Sequence, residues 1–290
     1  MRTLSKPIKE AIRTDLSVLF QEFVRRSEFY NVNDIEGLKQ KINNYYFSLS
    51  PNPISHNIRS AKSRLRFIHS EIMDILRPLS LTHPNSTWDG WIFYYTFDIN
   101  KYLTSNCNIR FYLNPTLEGY KVLLDLLKYY ISLPLKSRGL ILLKIADFSW
   151  EHFSLSHFSR SDQVVIYCSP KALPFIEPKL RTYYKNNFYD SVPLFTEKIN
   201  RGVSKAYSTK EETGIHRIIK NGYGKEIEKD LSYGQYISYL IAVGIQIYVE
   251  RNFPSLKTFS FHDLNSEQQR SLYLFVLRYA ETFLKDDLLI

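Results

Sequence analysis

Three short segments carry the pattern from which this architecture can be inferred: Ile109-Arg110-Phe111-Tyr112-Leu113-Asn114, Leu142-Leu143-Lys144-Ile145-Ala146-Asp147, and Ser159-Arg160-Ser161-Asp162-Gln163-Val164-Val165-Ile166-Tyr167. Each predicts a β-strand, because its residues alternate or form a short β-branched run. Side chains alternate across a strand, so each segment carries one cation, or a cation and a phenol, among apolar neighbours. Together the three strands predict one cationic pocket.

Each cation has a chemical use and a plainer alternative. Arg110 and Tyr112 line the same strand face. Lys144 interrupts an apolar run, where its charge is costly unless it is paired or suppressed. A buried lysine is a standard source of a neutral amine base, although its amine can also snorkel to a strand edge. Arg160 precedes a β-branched run, and we expect it at a strand mouth, where an arginine can bind phosphate or form an ion pair with a nearby aspartate.

Further motifs follow these strands in a fixed order: Pro193-Leu194-Phe195-Thr196, Gly202-Val203, and Thr213-Gly214-Ile215-His216-Arg217. As an ordered set from Trp88 to Gly224, the motifs resemble the HopA-type effector family. That family includes type III secretion effectors and stand-alone lyases that work beside a kinase in making class V lanthipeptides and thioamitides. It is in turn similar to the phosphothreonine lyases.

The resemblance implies a phosphoserine or phosphothreonine lyase, a carbon–oxygen lyase that eliminates phosphate from a phosphorylated precursor peptide to give dehydroalanine or dehydrobutyrine. It also implies a separate kinase partner and no metal or organic cofactor. The implied roles are Lys144 as base, Tyr112 as acid and Arg110 as phosphate ligand. The phosphothreonine lyases have lysine and histidine where this chain has Arg110 and Tyr112, so a histidine is an alternative acid. The remaining implied phosphate ligands are Arg160, Arg217, Arg201 and Lys198, and the alternative acids are His152, His157 and His216.

Composition narrows the class of protein. A net charge of +9 and a pI near 9.3 in 290 residues favour an anionic partner, or simply a solvated basic surface. Two cysteines imply no disulfide framework. The first residues lack the apolar core of a signal peptide and a Ser-rich leader, and the longest apolar run, Tyr236 to Val249, is too short to span a bilayer. We therefore expect a cytoplasmic protein without a membrane partner.

The hydrophobic pattern along the chain predicts an α+β protein with a helical N-terminal part, a mixed or antiparallel sheet core flanked by helices, and a helical C-terminus. We predict a helical region at 1–82 and a lyase-like core with its closing helices at 83–290. Helices are expected from about Ile8, from an Asn33 cap, and over 56–77, 117–132, 170–184, 233–251 and 266–285. The segment 193–224 is predicted to be mainly loop.

Two other function classes compete with the lyase. A non-catalytic, effector-like module would bind a host or partner protein through its helical surface. Arg59, Lys62, Arg64 and Arg66 cluster on one predicted helix, where they fit an acidic leader peptide, a partner kinase or a plain solvated face. Nucleic-acid binding has only the net charge and the abundant aromatic residues in its favour, and no recognition motif accompanies them. No P-loop, HExxH or GxSxG motif is present.

Overall fold

The computed structural model describes residues 6–26, 29–31, 34–48, 58–88, 90–97, 109–147, 161–183, 185–207 and 233–287. The chain divides into two compact units: residues 1–49, 194–197 and 208–290 form the first, and residues 50–193 and 198–207 form the second. This division follows contacts rather than chain order, and the boundary after residue 82 that the sequence suggests stays a prediction.

The first unit is helical. Its helices and short strands are α1 (Lys6–Arg26), β1 (Phe29–Asn31), α2 (Ile35–Ser48), α6 (Tyr233–Asn252), β9 (Thr258–Ser260) and α7 (Ser266–Asp287). In α1, Ile12, Leu16, Leu19 and Phe23 recur at helical spacing and are buried, as an amphipathic helix requires. Strands β1 and β9 pair antiparallel beside a cluster of packed aromatic rings.

The second unit contains a seven-stranded sheet in the order β2-β3-β5-β6-β4-β8-β7. Its strands are β2 (Asn85–Trp88), β3 (Trp91–Tyr95), β4 (Ile109–Leu113), β5 (Ile141–Ala146), β6 (Val164–Cys168), β7 (Glu197–Asn200) and β8 (Val203–Tyr207), and its helices are α3 (Ile58–Leu76), α4 (Gly119–Ser132) and α5 (Leu173–Thr182). The strand pairs β2–β3, β3–β5, β5–β6, β4–β6 and β4–β8 are all antiparallel. The predicted α+β class, with a largely antiparallel sheet flanked by helices and with helical ends, is confirmed.

One face of this sheet forms the main core. Ile109, Phe111, Ile145 and Ile166 alternate with residues of the other face and pack in one buried cluster with side chains of α3, α4 and α5. The cluster includes Tyr120 and Tyr130 of α4, both nearly inaccessible to solvent. Burial of so many large side chains is the dominant stabilising term in such a domain.

Several local predictions need correction. Residues 197–200 and 203–207 form strands β7 and β8 in a segment predicted to be mainly loop, and β1, β2 and β9 were not predicted. The residue that caps α2 is Asp34, whose Oδ1 accepts a hydrogen bond from the Gly37 amide at 2.9 Å, while Asn33 lies outside the described residues. Within the described ranges, no helix is both long and apolar enough to cross a membrane.

Candidate functional site

The face of the sheet opposite the main core carries three of the predicted site residues. Strand β6 lies between β5 and β4, and Lys144 pairs with Val165, which in turn pairs with Tyr112. Arg110 is opposite Tyr167 in the next row on the same face. Directly paired residues project to the same side of a sheet, so Arg110, Tyr112 and Lys144 share one face.

The separation of these side chains follows from the strand order. One strand intervenes between Lys144 and Tyr112, so with neighbouring strands about 4.8 Å apart their backbones are roughly 10 Å apart. The amine of Lys144 packs against two aromatic rings of β3, the neighbour of β5 on the side away from β6, whereas Tyr112 lies on the far side of β6. Arg110 and Tyr112 lie two residues apart on β4 and are closer still.

Tyr112 is buried and is hydrogen-bonded to the Arg110 side chain. Burial raises the pKa of Tyr112 to about 12, with smaller upward contributions from Tyr167 and Asp162, while Arg110 acts in the opposite direction. The phenol is therefore protonated at physiological pH and can donate a hydrogen bond or a proton. The Arg110 guanidinium carbon lies 5.0 Å from the centre of the Tyr167 ring, so Arg110 is also held by a cation–π contact.

Lys144 is half-buried and packs on aromatic rings. Its Nζ lies 3.9 Å from the centre of the Trp91 ring and 5.7 Å from the centre of the Phe93 ring. Aromatic faces attract an ammonium group through their quadrupole, which compensates part of the cost of placing a charge in this strand. The contact also fixes the direction in which the amine projects from β5.

Two further residues belong to this face or its border. Ser204 on β8 pairs with Tyr112 across the sheet, is fully buried, and has an Oγ without a hydrogen-bond partner among the described residues. A buried unsatisfied hydroxyl costs about 1–3 kcal/mol. Asp162, also buried, is close enough to raise the pKa of both Tyr112 and Tyr167. Ser204 was not predicted as a site residue, although Ser204 and Ala206 alternate with Val203 and Lys205 in the sequence.

The other predicted residues are elsewhere or outside the described ranges. Lys198 is on β7 and Arg201 follows it, at an edge of the sheet that β8 separates from β4. Lys198 Nζ lies 2.8 Å from Asp190 Oδ1, and this hydrogen bond holds the pKa of Asp190 below its usual range. The structure thus does not place these two cations in the row of Lys144 and Tyr112. Outside the described residues lie Arg160, Arg217, His152, His157 and His216.

The described part of the chain contains no group of three or more His, Cys, Asp or Glu side chains arranged to hold a metal ion. The polar side chains on the Lys144 face include instead an amine, phenols, a guanidinium and a hydroxyl. Such a set suits general acid–base chemistry and the binding of an anion.

Comparison with known proteins gives a family match over part of the chain. The model of the HopA1 effector protein family matches residues 153–220, less than a quarter of the sequence. Among solved structures, the effector protein from Pseudomonas syringae pv. tomato strain DC3000 is similar with a TM-score of 0.41 and 13% identity, over 82% of this chain and 88% of that one. No curated protein matches.

Proposed function

We propose that this chain is a phosphoserine or phosphothreonine lyase that acts on a phosphorylated precursor peptide in the cytoplasm. The observation that carries the proposal is the common sheet face of Lys144, Tyr112 and Arg110. These three side chains supply an amine, a protonated phenol and a guanidinium, and β-elimination of phosphate needs a base, an acid and an anion-binding group. The chemistry requires no metal or organic cofactor.

In this mechanism the amine of Lys144, in its deprotonated form, removes the proton from the substrate Cα. The electron pair of that C–H bond forms the Cα=Cβ double bond, and the Cβ–O bond breaks with its electrons going to the departing phosphate. Arg110 binds the phosphate, which carries about −1.5 to −2 charges at pH 7. Tyr112 donates a proton or a hydrogen bond to the leaving oxygen. The products are inorganic phosphate and a dehydroalanine or dehydrobutyrine residue.

The phosphate on the substrate must be installed beforehand, so the proposal includes a kinase that acts on the same peptide. Burial keeps the Tyr112 phenol protonated at physiological pH, so it can donate a hydrogen bond or a proton to the leaving oxygen.

The test is mass spectrometry of phosphoserine and phosphothreonine peptides, ideally the natural precursor phosphorylated by its kinase, after incubation with the full chain. Elimination removes the mass of phosphoric acid and leaves a residue that a thiol can trap, whereas hydrolysis would regenerate serine or threonine. We expect elimination by the wild type and by Lys128→Ala, which removes an exposed lysine of α4, and none by Lys144→Ala. Equal elimination by Lys144→Ala would place the base elsewhere, and no elimination of the authentic precursor would refute the proposal.

A second candidate is a non-catalytic module that binds a partner protein in the manner of an effector. The match to the HopA1 effector protein family over residues 153–220 favours it. This candidate predicts that Lys144→Ala leaves partner binding unchanged in a pull-down with the wild type as reference, whereas the lyase predicts loss of activity from the same substitution.

A further inference from the structure

Ser204 on β8 projects to the elimination face, the sheet face that carries Arg110, Tyr112 and Lys144. It pairs directly with Tyr112, and the Cβ atoms of directly opposed residues lie about 4.5–5.5 Å apart on the same side of a sheet. The next residue along β8, Lys205, projects to the other side, where its amine donates hydrogen bonds to a carboxylate of α5. The Ser204 hydroxyl is therefore a neighbour of the Tyr112 side chain.

This hydroxyl lacks the hydrogen bonds that a buried polar group normally makes. Ser204 is fully buried, and its Oγ has no hydrogen-bond partner within the part of the chain that the structure describes. Buried polar groups are almost always satisfied, because leaving one without a partner is costly. Ser238, a buried serine of α6, follows that rule: its Oγ donates a hydrogen bond to the Gly234 carbonyl oxygen at 2.7 Å.

The groups beside this hydroxyl indicate which kind of ligand would satisfy it. On β4, Arg110 has only hydrogen-bond donors, and the protonated phenol of Tyr112 has one. On β8, the residue opposite Arg110 is Ala206, so the two β8 side chains on this face, Ser204 and Ala206, are short beside the long side chains of β4. Asp162 is the acidic residue that acts on Tyr112, and it has interactions with other groups of the chain. A hydroxyl, a phenol and a guanidinium are satisfied together by an anion with several acceptor oxygens, as phosphate has.

We propose that Ser204 is a phosphate ligand of the elimination face, with its hydroxyl donating a hydrogen bond to an oxygen of the phosphate that Arg110 binds. The assignment rests on the proposed function, because it adds a binding group for the same phosphate. Ser204 takes no part in proton transfer. Its hydrogen bond forms only in the complex, which accounts for the missing partner in the free chain.

Stability and affinity should therefore respond differently to Ser204→Ala. In the free chain the substitution removes an unsatisfied hydroxyl, so the midpoint of urea denaturation should rise or stay the same. In the complex it removes one hydrogen bond to a charged group, so affinity for the phosphate should fall about tenfold to a hundredfold. A hydroxyl with a purely structural role would give the reverse pattern: a lower midpoint and an unchanged affinity.

The experiment is calorimetric titration of the full chain with a phosphothreonine peptide, its unphosphorylated form and inorganic phosphate. Titrations use the Lys144→Ala background, in which the lyase proposal predicts that the peptide stays intact. We expect Ser204→Ala to weaken both phosphate-bearing probes and to leave the unphosphorylated peptide unchanged. Binding of inorganic phosphate as tight as that of the phosphopeptide would assign the free anion as the ligand. The matched control is Ser238→Ala, which should leave all three affinities unchanged and lower the urea midpoint.

Three results would overturn the proposal: no binding of either phosphate-bearing probe, equal affinity of Ser204→Ala and its parent, or a urea midpoint that Ser204→Ala lowers. Circular dichroism establishes that the variants are folded. Failure of the lyase is a separate outcome, because a wild-type chain that binds the phosphopeptide through Ser204 without eliminating phosphate would refute only the enzyme. Elimination by the wild type with an unchanged KM in Ser204→Ala would refute only the role of Ser204.

Discussion

A half-buried aspartate in the helical unit makes stability depend on pH in a way that can be measured directly. Asp15 of α1 accepts a hydrogen bond from the Phe195 amide at 2.5 Å, and Phe195 has a φ of 60°, a left-handed conformation that few non-glycine residues adopt. Burial raises the pKa of Asp15 from 3.8 to about 6, although the hydrogen bond opposes this shift. The folded chain therefore binds this proton more tightly than the unfolded chain.

The direction in which stability changes with pH follows from this difference between the pKa of Asp15 in the folded and the unfolded chain. Between pH 4 and pH 6 the folded state holds more protons than the unfolded state at Asp15, so the free energy of unfolding falls as the pH rises through this window. A shift of about two pH units corresponds to about 3 kcal/mol, since each unit is worth 1.36 kcal/mol. Asp15→Asn keeps an oxygen that can accept the Phe195 hydrogen bond but removes the ionisation.

We therefore expect the free energy of unfolding of Asp15→Asn, relative to wild type, to increase by about 3 kcal/mol between pH 4 and pH 7. The assay is urea denaturation followed by far-UV circular dichroism at several pH values, since α1, α2, α6 and α7 dominate the signal of this unit. Glu10→Gln controls for removal of a negative charge from an exposed position of α1. A difference between Asp15→Asn and wild type that stays constant from pH 4 to pH 7 would refute the assigned shift.

Three more predictions concern the sheet unit. Glu177→Gln removes the carboxylate that lies 3.2 Å from the buried amine of Lys205. Urea denaturation should show that the free energy of unfolding falls by about 3–5 kcal/mol, and a change near zero would contradict this. Gly202→Ala should lower the free energy of unfolding by about 1–3 kcal/mol or more, because Gly202 has a φ of 61° and the new Cβ would lie 2.1 Å from the Tyr189 carbonyl oxygen. An unchanged melting temperature would argue against this. Under the lyase proposal, Tyr112→Phe should lower the elimination rate by about 10²–10⁴-fold while peptide affinity, measured by fluorescence anisotropy, stays within a few fold. An unaffected rate would exclude Tyr112 as the acid.

Strands and helices were predicted correctly where the hydrophobic pattern of the sequence was long or strongly periodic. The strands around Phe111, Leu143 and Ile166 and the helices around Leu16 and Leu123 follow clear periods, and all are present. Strands β7 and β8 were missed because Lys198, Arg201 and Lys205 make the segment resemble an exposed loop. The buried amine of Lys205 donates hydrogen bonds to Glu177, which lies 28 residues earlier in the chain. A local pattern cannot contain that information.

Other strands and site residues could not be predicted, because they depend on pairing between strands that are far apart in the chain. Strands β1 and β9 have three residues each and pair Phe29 with Ser260, so neither segment is long enough to show a period. For the candidate site, alternation correctly put Arg110 and Tyr112 on one side of β4. The Trp91 ring at Lys144 and the Ser204 hydroxyl beside Tyr112 depend on which strands are neighbours, and this order is a property of the whole sheet.

The proposed elimination face depends on one strand register. Lys144 and Ile145 are consecutive on β5, and Trp91 and Ile92 are consecutive on β3, so one residue of each pair projects to the elimination face and the other to the face that α3 covers. A shift of one residue moves every side chain of a strand to the opposite face. Trp91 opposes Ala146 and Ile92 opposes Ile145, and this register puts Ile92 and Ile145 on the face that α3 covers. An insertion of one residue within β5 would therefore turn Lys144 away from the face that carries Tyr112 and Arg110.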